Sequence, residues 1–525
     1  MTDTTKQALT EQLIQLLGTD QVVTGSGPLR LFSSDIYSQG ETAALAICPT
    51  GRSLLPTALK LISQQGFSII ARGGGLSYTG GYTPERTTSV IVDTRRLDEI
   101  VELNEEDMII TVEAGVTWKQ IHDVLAPRGL RLPFFGTFSG AKATVGGGVS
   151  NGALFLGSAA YGSAADITLG MEVVTARGEV VKTGQSAFTN GAAFFRSYGP
   201  DVTGLFLHDA GALGIKTLIT LRMIEAPQVV DSVSFTFEDM TSATQALSGV
   251  ARLGLCEDAY VFDPKTTRHS LEASGLQQNA RRLTRVVAGE QGMARGLRQG
   301  VKLLQGTHAL AKGNLYSLHA VCAGSGRSGV DSALAQVSER AASYGGTEIA
   351  NAIPSAIRAN LFEPVNSVVD TSGERWAALN AKLRHSQVPE LLSKTDALFA
   401  SHKAAMAQTG VSVSRLCMAV SNHVFSFEPV LRWADEWLPA HHRIPETDYL
   451  VKIQEPPPNL AARELVATIR SELVALFAQL GLASNQIGKT YPWFEQLNPV
   501  TAKLTQELKI ALDPDNLMNP GALGL

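Results

Sequence analysis

The sequence predicts an α+β protein of more than one domain, on three observations. Its 525 residues exceed what one hydrophobic core usually supports, while 44% apolar and 18% charged content is that of an ordinary globular chain. Up to about residue 227, short apolar runs alternate with helical spacings, as in a small mixed layer. From residue 228 the strands alternate apolar and polar side chains and are separated by helices, which suits an antiparallel sheet.

Taken in order, Leu9, Leu13, Ile14, Leu16 and Leu17 have helical spacing that stops at Gly18, a suitable C-cap. An apolar run at 43–48 closes on Pro49, a helix is expected at 54–64, and a buried strand at 67–70. Strands follow at 90–93 and 108–115, then a short helix at 117–125. Residues 169–175 and 180–181 fit a hairpin around Arg177-Gly178, and 213–224 is strongly β-patterned. Beyond residue 228, strands are expected at 229–237, 259–262, 315–321, 411–420 and 449–453. Helices are expected at 242–253, 330–344, 388–406, 460–480 and 499–512.

Two glycine-rich stretches stand out. Arg72, Gly73, Gly74, Gly75, Leu76, Ser77, Tyr78, Thr79, Gly80 and Gly81 follow the 67–70 strand. So many glycines let backbone N–H groups turn inward as a nest for an anion, with Arg72 adding charge and Ser77 a hydroxyl. Taken alone, this could equally be a glycine-rich turn. About seventy residues later the pattern recurs with Ser139, Thr144, Gly146, Gly147, Gly148, Ser150, Asn151 and Gly152. Two such loops point to one long, phosphate-bearing ligand held at several places.

A net charge of −5 without a basic cluster speaks against nucleic acid as a partner. The four cysteines are widely spaced and lack a Cys-x-x-Cys pair, so free thiols in a reducing compartment are expected. The N-terminal residues lack an apolar signal core. A cytoplasmic protein is therefore expected, with peripheral membrane contact left open.

The order of these stretches resembles the FAD-binding fold of the vanillyl-alcohol oxidase and p-cresol methylhydroxylase family. The likeness is nearest to its D-lactate dehydrogenase, D-2-hydroxyglutarate dehydrogenase and glycolate oxidase branch, and runs from about Asp35 to the C-terminus. Besides the two loops it rests on Tyr161-Gly162 with Asp166, on Gly211 to Thr217 with Gly214 and Ile215, and on a tail ending Asn519-Pro520-Gly521. The resemblance implies a two-part FAD-binding domain over 1–227, a cap over 228–484, and a segment, 485–525, returning to the first domain. It implies FAD held by Arg72, Gly73, Gly74, Gly75, Leu76, Ser77 and Gly80 of the first loop, by Ser139, Thr144, Gly146, Gly147, Ser150, Asn151 and Gly152 of the second, and by Tyr161, Gly214, Ile215 and Asn519. Some relatives tether FAD through a histidine in the first loop. Leu76 cannot form that bond, so non-covalent FAD is expected.

Such a protein oxidises a CH–OH group, which requires a base for the hydroxyl proton and, for an acid substrate, a cationic clamp. The candidates are His423 as base, Arg358 or Arg415 as clamp, and Tyr491 as hydroxyl positioner. Their plainer roles are a core histidine and surface ion pairs. Metal-dependent relatives carry a Gly-Glu-His-Gly-Ile-Gly segment and a His-x6-His pair. Here the first place reads Ser484-Asn485-Gln486-Ile487-Gly488, and Val430 stands seven positions after His423, so no metal ligands are expected.

The default substrate is a 2-hydroxy acid; phenolic or benzylic alcohols, or a non-redox reaction like that of alkylglycerone-phosphate synthase, are the alternatives. A non-catalytic flavin-binding role is a further one. Oxygen, a quinone or an electron-transfer protein would take the electrons, and a homo-oligomer is expected.

Overall fold

The computed structural model describes residues 3–273 and 314–525. The first sheet has four strands in the order Val22–Val23, Leu45–Ile47, Ser89–Asp93, Ser68–Arg72. The last three pair in parallel, with the Leu55–Gln64 helix packed beside them. Parallel strands with both faces covered read as unbroken apolar runs, and Leu45–Ile47 and Ser89–Asp93 are buried throughout. The tail joins this sheet: Leu517 O accepts from Ile69 N at 2.7 Å, and Asn519 N donates to Ile69 O at 2.8 Å.

A five-stranded antiparallel sheet follows, ordered Ile100–Asn104, Ile109–Glu113, Ile215–Arg222, Thr168–Val174, Val180–Lys182. The third sheet has eight strands, built mainly from Val229–Phe237, Tyr316–Gly324, Asp258–Phe262, Ser412–Val420, Val424–Trp433 and Arg375–Ala378. The Ala381–Leu383 strand pairs with Val424–Trp433 beside Arg375–Ala378.

Side-chain parity divides this third sheet. Cys417, Ala419, Phe425, Phe427, Leu431 and Trp433 join the core made with the Met240–Ala251, Val388–Ser401 and Leu460–Gln479 helices. Ser414, Leu416, Met418, Glu428, Val430 and Arg432, of the opposite parity, look into a cavity shared with the first two sheets.

Three expectations change. Residues 449–453 are not a strand; Thr447–Leu450 is a helical turn, with Leu450 N donating to Glu446 O and Tyr449 Oη to Val369 O. A short apolar run does not separate the two conformations. The 388–406 helix breaks at His402, whose ring meets Glu472, giving Val388–Ser401 and Lys403–Thr409. The Val424–Trp433 strand was not foreseen, because Pro429 reads as a breaker. The carbonyl opposite Pro429, on Arg415, accepts instead from Asp263 N at 3.2 Å.

Candidate active site

The cavity has a volume of about 420 Å³. One wall is backbone. Gly73, Gly74 and Gly75 leave the Ser68–Arg72 strand and pass so close to the second loop that side chains are excluded. A Cβ on Gly73 would collide with Thr144 Oγ1, and one on Gly74 with Lys142 O. Gly75 sits at φ 73°, a left-handed conformation that glycine adopts freely, directly over the Arg72 guanidinium. Arg72 lies between the Phe32 and Tyr82 rings, 5.4 and 5.5 Å from their centroids, and pairs with Asp93 at 3.5 Å. Burial lowers its pKa. Thr144 caps the Val145–Ser150 helix, its Oγ1 accepting from Gly147 N at 3.3 Å.

The strap carrying Asn485 and Gln486 closes this wall. It is sewn to the third sheet: Lys382 N donates to Ala483 O at 2.7 Å, and Asn485 N donates to Asn380 Oδ1 at 3.2 Å. Asn485 Nδ2 reaches across to Gly152 O at 2.9 Å.

The opposite wall is the sheet face. It is largely apolar, with Leu416, Met418, Val430 and Trp376, the last meeting the Tyr78 ring edge-on at 5.4 Å. Glu428 is the only carboxylate among the described residues that line the cavity, and no described histidine lines it. Its carboxylate has no hydrogen bond or ion pair among the described residues. Burial raises its pKa, while the Lys382 ammonium opposes that rise. Lys382 donates to Ser426 Oγ at 2.8 Å, and burial pulls its pKa down to about 8. Arg432, four residues along the same strand, also faces the cavity without a hydrogen-bonded partner among the described residues, its Nε buried. Burial lowers its pKa against the pull of Asp370, Glu374 and Asp263.

Comparison with known proteins fixes what this cradle holds. Residues 43–184 match the family model described as FAD binding domain. This stretch is an FAD-binding domain. Among relatives, the glycolate oxidase subunit GlcD of Bacillus subtilis is 27% identical over 46% of this chain and 50% of its own length. A cytochrome-type mitochondrial D-lactate dehydrogenase of Saccharomyces cerevisiae is 27% identical over 38% of this chain and 32% of its own. The chain thus matches between a third and a half of the length of these relatives. In fold, p-cresol methylhydroxylase with substrate bound superimposes with a TM-score of 0.74 at 18% identity, covering 100% of this chain and 98% of that one. The fold is therefore that of the p-cresol methylhydroxylase type, and FAD is the cofactor.

The residues fit that group. Arg72 Nε, Asn151 Oδ1, Asn485 Oδ1 and Gln486 Oε1 all lie buried without a partner among the described residues, and all four residues line the cavity. Buried polar atoms left so are costly unless a ligand meets them. The FAD-binding domain would hold a diphosphate with Arg72 and the backbone N–H groups after it. Asn151, Asn485 and Gln486 supply amides suited to the polar edge of a flavin.

Of the residues expected to bind the cofactor, Arg72, Gly73, Gly74, Gly75, Leu76, Ser77, Ser139, Thr144, Gly146, Gly147, Ser150, Asn151, Gly214 and Ile215 line the cavity. Four do not. Gly80 N turns to Asp35 Oδ2 at 2.8 Å, and Gly152 packs against His208. Tyr161 lies under Arg131 and Arg222, 5.7 and 6.0 Å from its centroid. Asn519 Nδ2 clamps Gly81 O and Ala210 O, both at 2.6 Å, and so braces the cradle from behind.

The four expected catalytic residues all stand outside the cavity lining. His423 is exposed on the turn between the Ser412–Val420 and Val424–Trp433 strands. Arg415 has the helix-side parity, pairing with Asp396 at 2.5 Å over the Phe399 ring. Arg358 pairs with Glu257 and Asp258 in a buried cluster that Arg131 joins. Tyr491 Oη accepts from Asn380 N at 2.7 Å and donates to Asn380 O at 3.0 Å, which holds the strap. Burial pushes its pKa up to about 12. Sequence reasoning missed Glu428, Arg432 and Lys382. The alternation in residues 424–432 was the available signal, with Pro429 hiding it.

Proposed function

We propose that this chain is an FAD-dependent oxidoreductase that oxidises a CH–OH group, with Glu428 receiving the hydroxyl proton. One observation carries the reading: Glu428 is the single described carboxylate facing the cavity, unpaired and raised in pKa by burial. A carboxylate so raised takes a proton more readily than one in water. FAD, when bound, supplies the hydride acceptor. The chain supplies the rest. The apolar sheet face excludes water, Glu428 accepts the proton at a carboxylate oxygen, and the Lys382 charge favours its ionised form beforehand.

The reading divides the chain into the FAD-binding part at 1–227, a cap at 228–484 and a returning segment at 485–525. FAD would be held without a covalent bond, Leu76 standing where a tethering histidine would be needed. Hydroxy acids are the first substrates to test, given relatives named as glycolate oxidase and D-lactate dehydrogenase. A second reading, phenolic or benzylic alcohols, is favoured by the Tyr78, Trp376, Phe138 and Phe155 rings that line the cavity. Oxygen, a quinone or an electron-transfer protein would reoxidise the flavin, and a homo-oligomer belongs to the same proposal.

The test is anaerobic flavin bleaching of the holoprotein by a panel of hydroxy acids and benzylic alcohols. Bleaching by one class is expected, slowed about 10²–10⁴-fold in Glu428→Gln with flavin content unchanged. A variant that bleaches at the parental rate removes Glu428 from the chemistry.

A further inference from the structure

Among the described residues, Glu428 and Arg432 offer the cavity its two unpaired charges from one strand, and they stand far apart. Both have the cavity-facing parity, and four residues of antiparallel strand span about 13 Å. Their electrostatic surroundings are separate: Glu428 answers to Lys382, Arg432 to Asp370, Glu374 and Asp263. Val430 lies between them, with Leu416 opposite Glu428 and Trp376 opposite Arg432 on the flanking strands. A second cation, Lys265, stands at the Arg432 end and shares the field of the same three carboxylates. Lys265 Nζ donates to Ser412 Oγ, and Ser412 is the cross-strand neighbour of Arg432. The buried Arg432 Nε has no bonded partner among the described residues, which is costly, and an anionic oxygen meeting it offsets that cost.

We propose that the cavity takes an elongated alcohol whose far end is an anion, a carboxylate or a phosphate. Its hydroxyl carbon lies at Glu428, its anion on Arg432, and an apolar body along Val430, Leu416 and Trp376. The hydroxyl end of this assignment rests on the function proposed above. A 2-hydroxy acid carries hydroxyl and carboxylate on adjacent carbons and reaches only one of the two charges. A chain of roughly six to ten carbons spans both.

Unreactive occupants test this on the holoprotein, read by the change they cause in the flavin visible spectrum. Linear alkanoates from two to twelve carbons are titrated, with alkyl phosphates of matched length as a second arm. Affinity is expected to rise about fourfold per methylene up to eight or ten carbons. Whichever anion binds tighter identifies the far end. Arg432→Gln is expected to lose at least tenfold in affinity for the long anions while keeping its flavin and its affinity for the neutral alcohol of equal length.

Tightest binding at two or three carbons, or no dependence on length in either arm, overturns the proposal from the parental protein alone. An Arg432→Gln variant with undiminished anion affinity, or one that loses flavin, overturns the placement of the anion. None of these titrations involves proton transfer. A failed length rule would therefore leave alcohol oxidation at Glu428 standing, and normal bleaching in Glu428→Gln would leave the anion end standing.

Discussion

The two walls of the cavity meet the same ligand space by opposite means. The FAD-side wall has a backbone floor, with glycines at 73, 74 and 75 lying where a Cβ would strike Thr144, Lys142 or Arg72, and the Arg72, Asn151, Asn485 and Gln486 side chains stand around it. The opposite wall is made of side chains, selected by the parity of two long strands, with a glutamate and an arginine left without hydrogen-bonded partners among the described residues. The first wall is specified by which residues are absent, and hence by local sequence. The second is specified by register, which depends on strands far apart in the chain.

The sharpest way to break that contrast is to add a side chain to the backbone wall. Gly74→Val should abolish FAD retention, because its Cβ meets the Lys142 carbonyl and the neighbouring backbone, neither of which can rotate away. Gly147→Ala should be mild, since its Cβ meets only Thr144 Oγ1 at 3.3 Å. Flavin absorbance per folded protein, with far-ultraviolet dichroism to score folding, checks both. A yellow Gly74→Val protein would count against the close approach.

Arg358→Ala probes a polar cluster that belongs to neither wall. It leaves Glu257 and Asp258 short of a buried partner and should cost about 3–5 kcal/mol in denaturant unfolding. The flavin that remains bound should be reduced at close to the parental rate. A slow reduction with unchanged stability would return Arg358 to the chemistry.

The smaller effect lies on the side-chain wall, in pH. Glu428 must be ionised to act as base, so flavin reduction should speed up as pH rises through its raised pKa. The Lys382 ammonium favours the ionised form, so Lys382→Met should move that rise to higher pH. Lys382 itself loses its charge at about pH 8, and parental and variant profiles should converge above that value. Tyr78 and Tyr491, the other titratable groups beside Glu428, have pKa values raised by burial and stay neutral across this range. A downward shift in Lys382→Met would contradict that influence of Lys382 on Glu428.

This contrast also explains what could be read from the chain. The 229–237 strand and the 499–512 helix agree with their expected bounds, since alternation and helical spacing are local. Fourteen of the expected cofactor residues line the cavity for the same reason: a glycine run announces a close approach wherever it lies. Asn519 was recognised as belonging to the cradle, but its amide turns to Gly81 and Ala210, a choice that only the folded loops dictate. The catalytic candidates were chosen by residue type. Arg415 fails by one residue of parity, its neighbours Ser414 and Leu416 facing the cavity while it faces the helices. His423 fails because it sits on the turn between the Ser412–Val420 strand and its partner, and that partner, hidden by Pro429, carries Glu428 instead.

The most direct measurement compares anaerobic flavin reduction in Glu428→Gln and His423→Ala, both loaded with FAD, using whichever alcohol bleaches the parental protein. The account predicts a loss of about 10²–10⁴-fold in the first and a rate within a few-fold of parental in the second. Normal reduction in Glu428→Gln together with loss in His423→Ala would show that the third sheet has been assigned the wrong face.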